Sequence, residues 1–135
     1  MAAPTAFDLG TTYVRLEDDM GATRIEVDER FWADVMAGKR DDLDRGWVLG
    51  VFPYVEDWRT AERHPAGDEI VYLLSGDVDL VLLVDGGEQC IALHAGAGCI
   101  VPRGAWHTAR VRTPGRALHV TPGAGTQQRL LAPAK

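Results

Sequence analysis

From residue 47 to residue 123 the chain is a succession of short strand-like runs separated by glycine-bearing turns, and this rhythm leaves few folds open. The runs are Trp47–Tyr54, Thr60–His64, Glu69–Ser75, Val78–Val84, Gln89–His94, Cys99–Pro102, His107–Arg112 and Ala117–Thr121. Between them stand Gly67-Asp68, Ser75-Gly76-Asp77, Asp85-Gly86-Gly87, Gly96-Ala97-Gly98, Arg103-Gly104 and Thr113-Pro114-Gly115. Asp-Gly and Gly-Gly between apolar runs are hairpin chemistry, because primed turns need a positive φ that glycine adopts at little cost. Many short strands spaced in this way predict an all-β sandwich or barrel.

The flanks read differently. Residues 1–46 are charge-rich, with acidic clusters at 17–19 and 26–29 that read as a solvated face. Within them, residues 28–36 predict a short helix capped by Asp28 and stopped by Gly38, with Phe31, Trp32, Val35 and Met36 on one apolar face. Residues 1–46 are therefore expected to supply a helix and edge strands, residues 47–123 the barrel, and residues 124–135 a polar tail along its surface. A chain of 135 residues suits one domain.

Charge and composition exclude several functions. Fourteen basic against twenty acidic side chains leave a net charge of −6, which repels phosphate backbones and argues against nucleic acid as a partner. The apolar runs Ile70–Leu74 and Leu80–Val84 are far too short to cross a bilayer as helices, which needs about 20 residues, so no membrane partner is expected. The first ten residues carry neither a basic segment nor an apolar stretch of a secretory signal, and a cytoplasmic location is expected. Cys90 and Cys99 are read as reduced, small core residues rather than a disulfide or a zinc pair.

Chemistry concentrates at four residues. Strand side chains alternate, so Glu62 and His64 face one way while Arg63 faces the other. Glu69 opens the next strand after the turn at 65–68, and His107 opens another after the turn at 102–106. Two imidazoles and one carboxylate delivered by neighbouring strands form the ligand set of a non-haem iron or similar divalent-metal site. Glu62 stands close enough to be a fourth ligand, or else an acid just outside the coordination sphere.

These same residues resemble the two sequence motifs of the cupins. His64 is followed by four residues and Glu69, and Glu69 by six residues and Gly76; Gly96, Pro102, Gly104 and His107 match the second motif. The resemblance spans residues 62–111 and implies a cupin double-stranded β-helix, a jelly-roll barrel, with a divalent metal held by His64, Glu69 and His107. Three positions depart from the pattern: Glu62 replaces the first histidine, Asp57 the opening glycine of the first motif and Val111 the closing asparagine of the second. The exchange at Glu62 lowers the site charge by one unit and leaves iron, manganese, zinc and nickel all open. Cupins include dioxygenases, isomerases and decarboxylases. The resemblance thus implies a metal-dependent enzyme acting on a small molecule, with a non-catalytic binding or sensor module, with or without metal, as the alternative.

Other residues carry expectations too. His94 is read as exposed, and His119 as a satisfied core histidine or a pocket contact. Trp106 should point away from His107, while Trp47, Phe52, Trp58 and Tyr72 are sized for the barrel core or a pocket wall. Glu69 could instead pair with Arg59 or Arg63 at a solvated edge. None of Arg59, Arg63 and Arg110 marks a carboxylate substrate. Tyr13, Val14 and Leu16 suit a strand laid across a second copy, so a homodimer is expected.

Overall fold

A computed structural model describes residues 3–132. Nine strands form one continuous hydrogen-bonded system: β1 (Thr12–Leu16), β2 (Ala22–Glu26), β3 (Trp47–Tyr54), β4 (Thr60–Arg63), β5 (Glu69–Val84), β6 (Gly87–His94), β7 (Gly98–Val101), β8 (His107–Pro122) and β9 (Gln127–Leu130). Helix α1 covers only Phe31–Met36. Among the described residues no helix is long and apolar enough to cross a membrane.

Two long strands organise the barrel. The first half of β5 pairs with β7 and with the second half of β8, whose other neighbour is β3. The second half of β5 pairs with β6 and with the first half of β8, which is joined to β4 where Glu62 faces His107. Each long strand thus passes from one face of the barrel to the other. The sequence reading divided both, taking Ser75-Gly76-Asp77 and Thr113-Pro114-Gly115 for turns. The β5–β8 register instead slips repeatedly between Leu73 and Val78, so these segments face each other as a bulge that bends both strands without ending them. Gly76 sits at φ +86°, and a Cβ there would lie 2.5 Å from the Thr113 carbonyl oxygen. Gly76→Ala is therefore expected to destabilise the fold by about 1–3 kcal/mol, as read from denaturant melts, through strained backbone and a lost close approach.

The alternation Val71, Leu73 then Val78, Leu80, Leu82 places five β5 side chains in the core with Tyr54, Leu93, Val101, Ala109 and Ala117. A smaller cluster, Tyr13, Ile25 and Phe31, forms beside it with Phe52 packed against both, and the Tyr13 ring lies against Gly50.

Three local expectations change. Helix α1 is preceded by an Asp28 turn, with Arg30 N–H donating to Asp28 Oδ1 at 3.0 Å, and Arg30 rather than Asp28 is its N-cap. Gly38, at φ +71°, does end it, its N–H donating to Val35 O. The polar tail does not simply follow the surface; residues 127–130 add β9 to the edge of β4. Strand β1 pairs with β2 and β3 of its own chain, so it covers its own sheet edge rather than a partner's.

Candidate metal centre

The strand alternation brings the four predicted side chains together. Glu62 projects inward from β4 and His64 from the residue just beyond it, while Glu69 is the first residue of β5 and His107 the first of β8. Their ligating atoms all lie within 4.8 Å of one another. His64 Nε2 is 3.2 Å from Glu69 Oε2 and 3.5 Å from Glu62 Oε1. His107 Nε2 is 3.1 Å from Glu69 Oε1 and 3.3 Å from Glu62 Oε1. Ligand atoms about 2.1 Å from one ion stand about 3.0–3.4 Å apart at right-angle or tetrahedral separations, so these edges have the size of a coordination polyhedron.

Angles separate this cluster from ordinary ion pairing. His64 Nε2, His107 Nε2 and Glu69 Oε1 are all buried, and none makes a well-aligned hydrogen bond. Buried polar atoms are almost always satisfied, so three such atoms converging on one point could share a common partner such as a metal ion. Hydrogen bonds on the far side of each ring set the tautomer. His107 Nδ1 donates to the Ala105 carbonyl at 3.1 Å. His64 Nδ1 lies 2.9 Å from Thr126 Oγ1, whose own proton is directed to the Pro122 and Gly123 carbonyls. A neutral His107 therefore carries its proton on Nδ1 and presents the Nε2 lone pair inward, and His64 does the same when Thr126 Oγ1 accepts from it, as metal-binding histidines do.

Charge in the cluster is balanced internally. Burial disfavours the cationic form of both rings, but the Glu62 and Glu69 carboxylates outweigh it, raising His64 to about 9 and His107 to about 10. Burial likewise works against the Glu62 carboxylate, yet the two imidazoles hold it down to about 2. Glu69 is also kept well below the usual carboxylate range, its desolvation overcome by His107, His119 and His64.

Glu69 is fixed from behind. Thr121 Oγ1 donates to its Oε2 at 2.6 Å, and His119 Nδ1 lies 3.4 Å from the same oxygen. Tyr54 OH is 2.6 Å from His119 Nε2, and burial raises the tyrosine's pKa well above its ordinary value. With Tyr54 as donor to Nε2, His119 keeps its proton on Nδ1 and donates towards Glu69. His119 is thus both a satisfied buried histidine and a wall of the cavity, while remaining outside the ligand cluster.

The cluster opens onto a cavity of ≈ 600 Å³ walled by Phe52, Trp58, Phe31, Trp32 and Val35. Phe52 and Trp58 thus take the pocket-wall role, but Trp47 and Tyr72 are each 40% exposed on outward positions and belong to neither core nor pocket. Cys90 and Cys99 are both free thiols; Cys90 is exposed and so not a core residue, while the half-buried Cys99 packs against the edge of the core. His94 is exposed. Glu69, 1% exposed, makes no edge pair with Arg59 or Arg63. Arg63 lies outside over the Trp106 ring at 4.9 Å, and Arg110 pairs with Glu88. Sequence reasoning missed Thr121, Tyr54 and Thr126. Thr121 was accessible, because it shares inward parity with His119, whereas Thr126 lies in a loop with no pattern.

Comparison with known proteins agrees with this architecture. No curated protein matches the chain. Among solved structures, Bacillus subtilis oxalate decarboxylase, a protein with Mn(II) centres, superposes with a TM-score of 0.54 at 17% identity, over 70% of this chain and 26% of that one. An oxalate oxidase in complex with the substrate analogue glycolate gives 0.51 at 15% identity, over 63% and 46%. A cupin-2 domain protein from Shewanella frigidimarina gives 0.49 at 17% identity, over 56% and 70%. The family model for the cupin domain matches residues 54–121, just over half of the chain and all four clustered side chains. The chain belongs to the cupin family.

Proposed function

We propose that His64, Glu69 and His107 bind one divalent metal ion, with Glu62 as a fourth ligand, and that the protein is a metal-dependent enzyme acting on a small molecule in the adjoining cavity. The single observation that carries this reading is the convergence of three buried, unpartnered ligand atoms, with each histidine's tautomer set from outside. A bound divalent ion supplies Lewis acidity, or a redox centre if it is iron or manganese, at the floor of the cavity. The chain's residues supply the rest. Thr121 and His119 orient Glu69, Ala105 and Thr126 orient the two rings, and the aromatic walls keep water from the reacting atoms.

Iron, manganese, zinc and nickel all accept this donor set. Elemental analysis of protein purified without chelator is expected to return about one ion per chain, as one four-residue cluster implies. Less than about one ion in ten chains, together with a melting temperature unmoved by any of these four metals, would overturn the reading and leave a metal-free small-molecule binder.

Two companion proposals concern context. The two free thiols support a reducing, cytoplasmic setting. Outward Ile70, Tyr72, Leu74 and Ile100 form exposed apolar surface on β5 and β7, which supports a homodimer through this face now that β1 is committed to its own sheet. Light scattering should return about 29 kDa, twice the 14.7 kDa of the chain. A monomer at micromolar concentration would refute it.

A further inference from the structure

The cavity beside the cluster has two properties that together select a ligand class. The first is charge. A divalent ion held by two carboxylates and two neutral imidazoles carries no net charge, so it offers an anion no electrostatic advantage. The walls add none: outside the cluster, the charged residues among the described lining are the acids Glu56 and Asp57 and one cation, the exposed Arg59. A carboxylate or phosphate entering this space leaves water without gaining a compensating partner.

The second property is the shape and chemistry of the walls. Trp58 stacks on the His119 ring at 6.3 Å with 24° between planes, and Phe52 meets the same ring edge-on at 4.8 Å. Trp32 lies 5.5 Å from Phe52 and also lines the cavity. Helix α1 buries Phe31 but leaves Trp32 47% and Met36 60% exposed, although both line the cavity. Such apolar surface on a short helix over a pocket is left for a ligand to cover. The volume of ≈ 600 Å³ lies within the range of small-molecule sites.

We infer that the cavity binds a neutral aromatic compound whose hydroxyl or carbonyl oxygen is directed at the Glu62–His64–Glu69–His107 cluster. Ring faces and edges on several sides provide offset and edge-to-face partners, which distinguish an aromatic ligand from a saturated one of equal size. Glu62, 19% exposed at the cavity floor, provides the selectivity against anions. The inference deepens the metal-site reading and rests on it for the position of the oxygen, while the ring preference depends on the walls alone.

Calorimetric titration of the full chain at neutral pH, metal-free and manganese-loaded, separates these elements. The probes are 2-naphthol, its anionic counterpart 2-naphthoate and the saturated decahydro-2-naphthol. The loaded protein is expected to bind 2-naphthol at least about tenfold more tightly than either of the others. Phe52→Leu and, independently, Trp58→Leu should erase the preference over the saturated alcohol, and Glu62→Gln should narrow the preference over 2-naphthoate. Circular dichroism confirms that each variant is folded. Equal or tighter binding of 2-naphthoate, equal binding of decahydro-2-naphthol, or no binding of any probe at millimolar concentration would overturn the inference. Metal content measured on the same samples keeps the two readings apart. A chain that takes up none of iron, manganese, zinc and nickel but still prefers 2-naphthol over decahydro-2-naphthol refutes the metal site and supports the aromatic pocket; one that binds manganese and prefers 2-naphthoate does the opposite.

Discussion

His107→Ala is expected to remove stoichiometric metal binding while leaving a folded barrel. His107 is fully buried, touches both Glu62 and Glu69, and joins the β4–β8 contact to the cluster. Without it the remaining donors are two carboxylates and one imidazole. Loss of a ligand should weaken binding by more than the 10–100-fold typical of losing a residue that only supports one, so roughly a hundredfold is the lower bound. The apolar core contains Leu80, Leu82, Val101 and Ala109 but not His107, so the strands retain their own buried faces. Removing one partner from a buried charged cluster still costs about 3–5 kcal/mol in the metal-free protein. His94→Ala, at an exposed position, serves as the control and should keep its ion. Unchanged metal content in His107→Ala would show that His107 is no ligand.

The second large effect is on pH. A free histidine titrates near 6.5, which by itself would place the loss of metal binding on the way down towards pH 5. The structure moves that window upward. With His64 raised to about 9 and His107 to about 10, both rings of the metal-free protein hold their protons at neutral pH. An ion must then displace two protons, so affinity should climb by up to about a hundredfold per pH unit below 9 and level off above about 10. Stability follows the opposite course in the metal-free chain. Groups whose folded pKa lies above the unfolded one stabilise fully below the unfolded value, near 6.5, and that contribution is lost as pH rises through 9 to 10. Chelator competition at several pH values checks the first trend and thermal melts of the stripped protein the second. An affinity that is flat between pH 7 and 9 would show that the rings are already neutral.

Much of the site was legible because its geometry is local. Alternation alone puts Glu62 and His64 on one side with Arg63 opposite, and the turns at 65–68 and 102–106 deliver Glu69 and His107 at strand starts. What the sequence concealed depends on partners far along the chain. Ser75-Gly76-Asp77 has the same local chemistry as a hairpin turn, and only its register against Thr113 and Arg116 of β8 makes it a bulge. Tyr72 reads as a core aromatic until its neighbours Val71 and Leu73 are seen to be the inward pair. Strand β9 leaves no periodic signal because all four of its residues are exposed, and it pairs with β4 through the backbone ladder and the Arg63–Gln127 side-chain hydrogen bond. The supporting contacts of Thr121 and Tyr54 follow from where β3, β5 and β8 cross, which no local pattern encodes.

That last strand has a kinetic meaning. Thr126, which holds the outer nitrogen of His64, immediately precedes β9, and β9 is an edge ladder with a single neighbour. Edge ladders with exposed side chains open more readily than core strands. Each such opening releases the His64 ring from its tautomer-setting contact, while β5 and β8 keep Glu69 and His107 in position. On the proposed metal reading, ion exchange is tied to fraying at this rim, so the site would be rigid on average and still labile through one hinge-like margin.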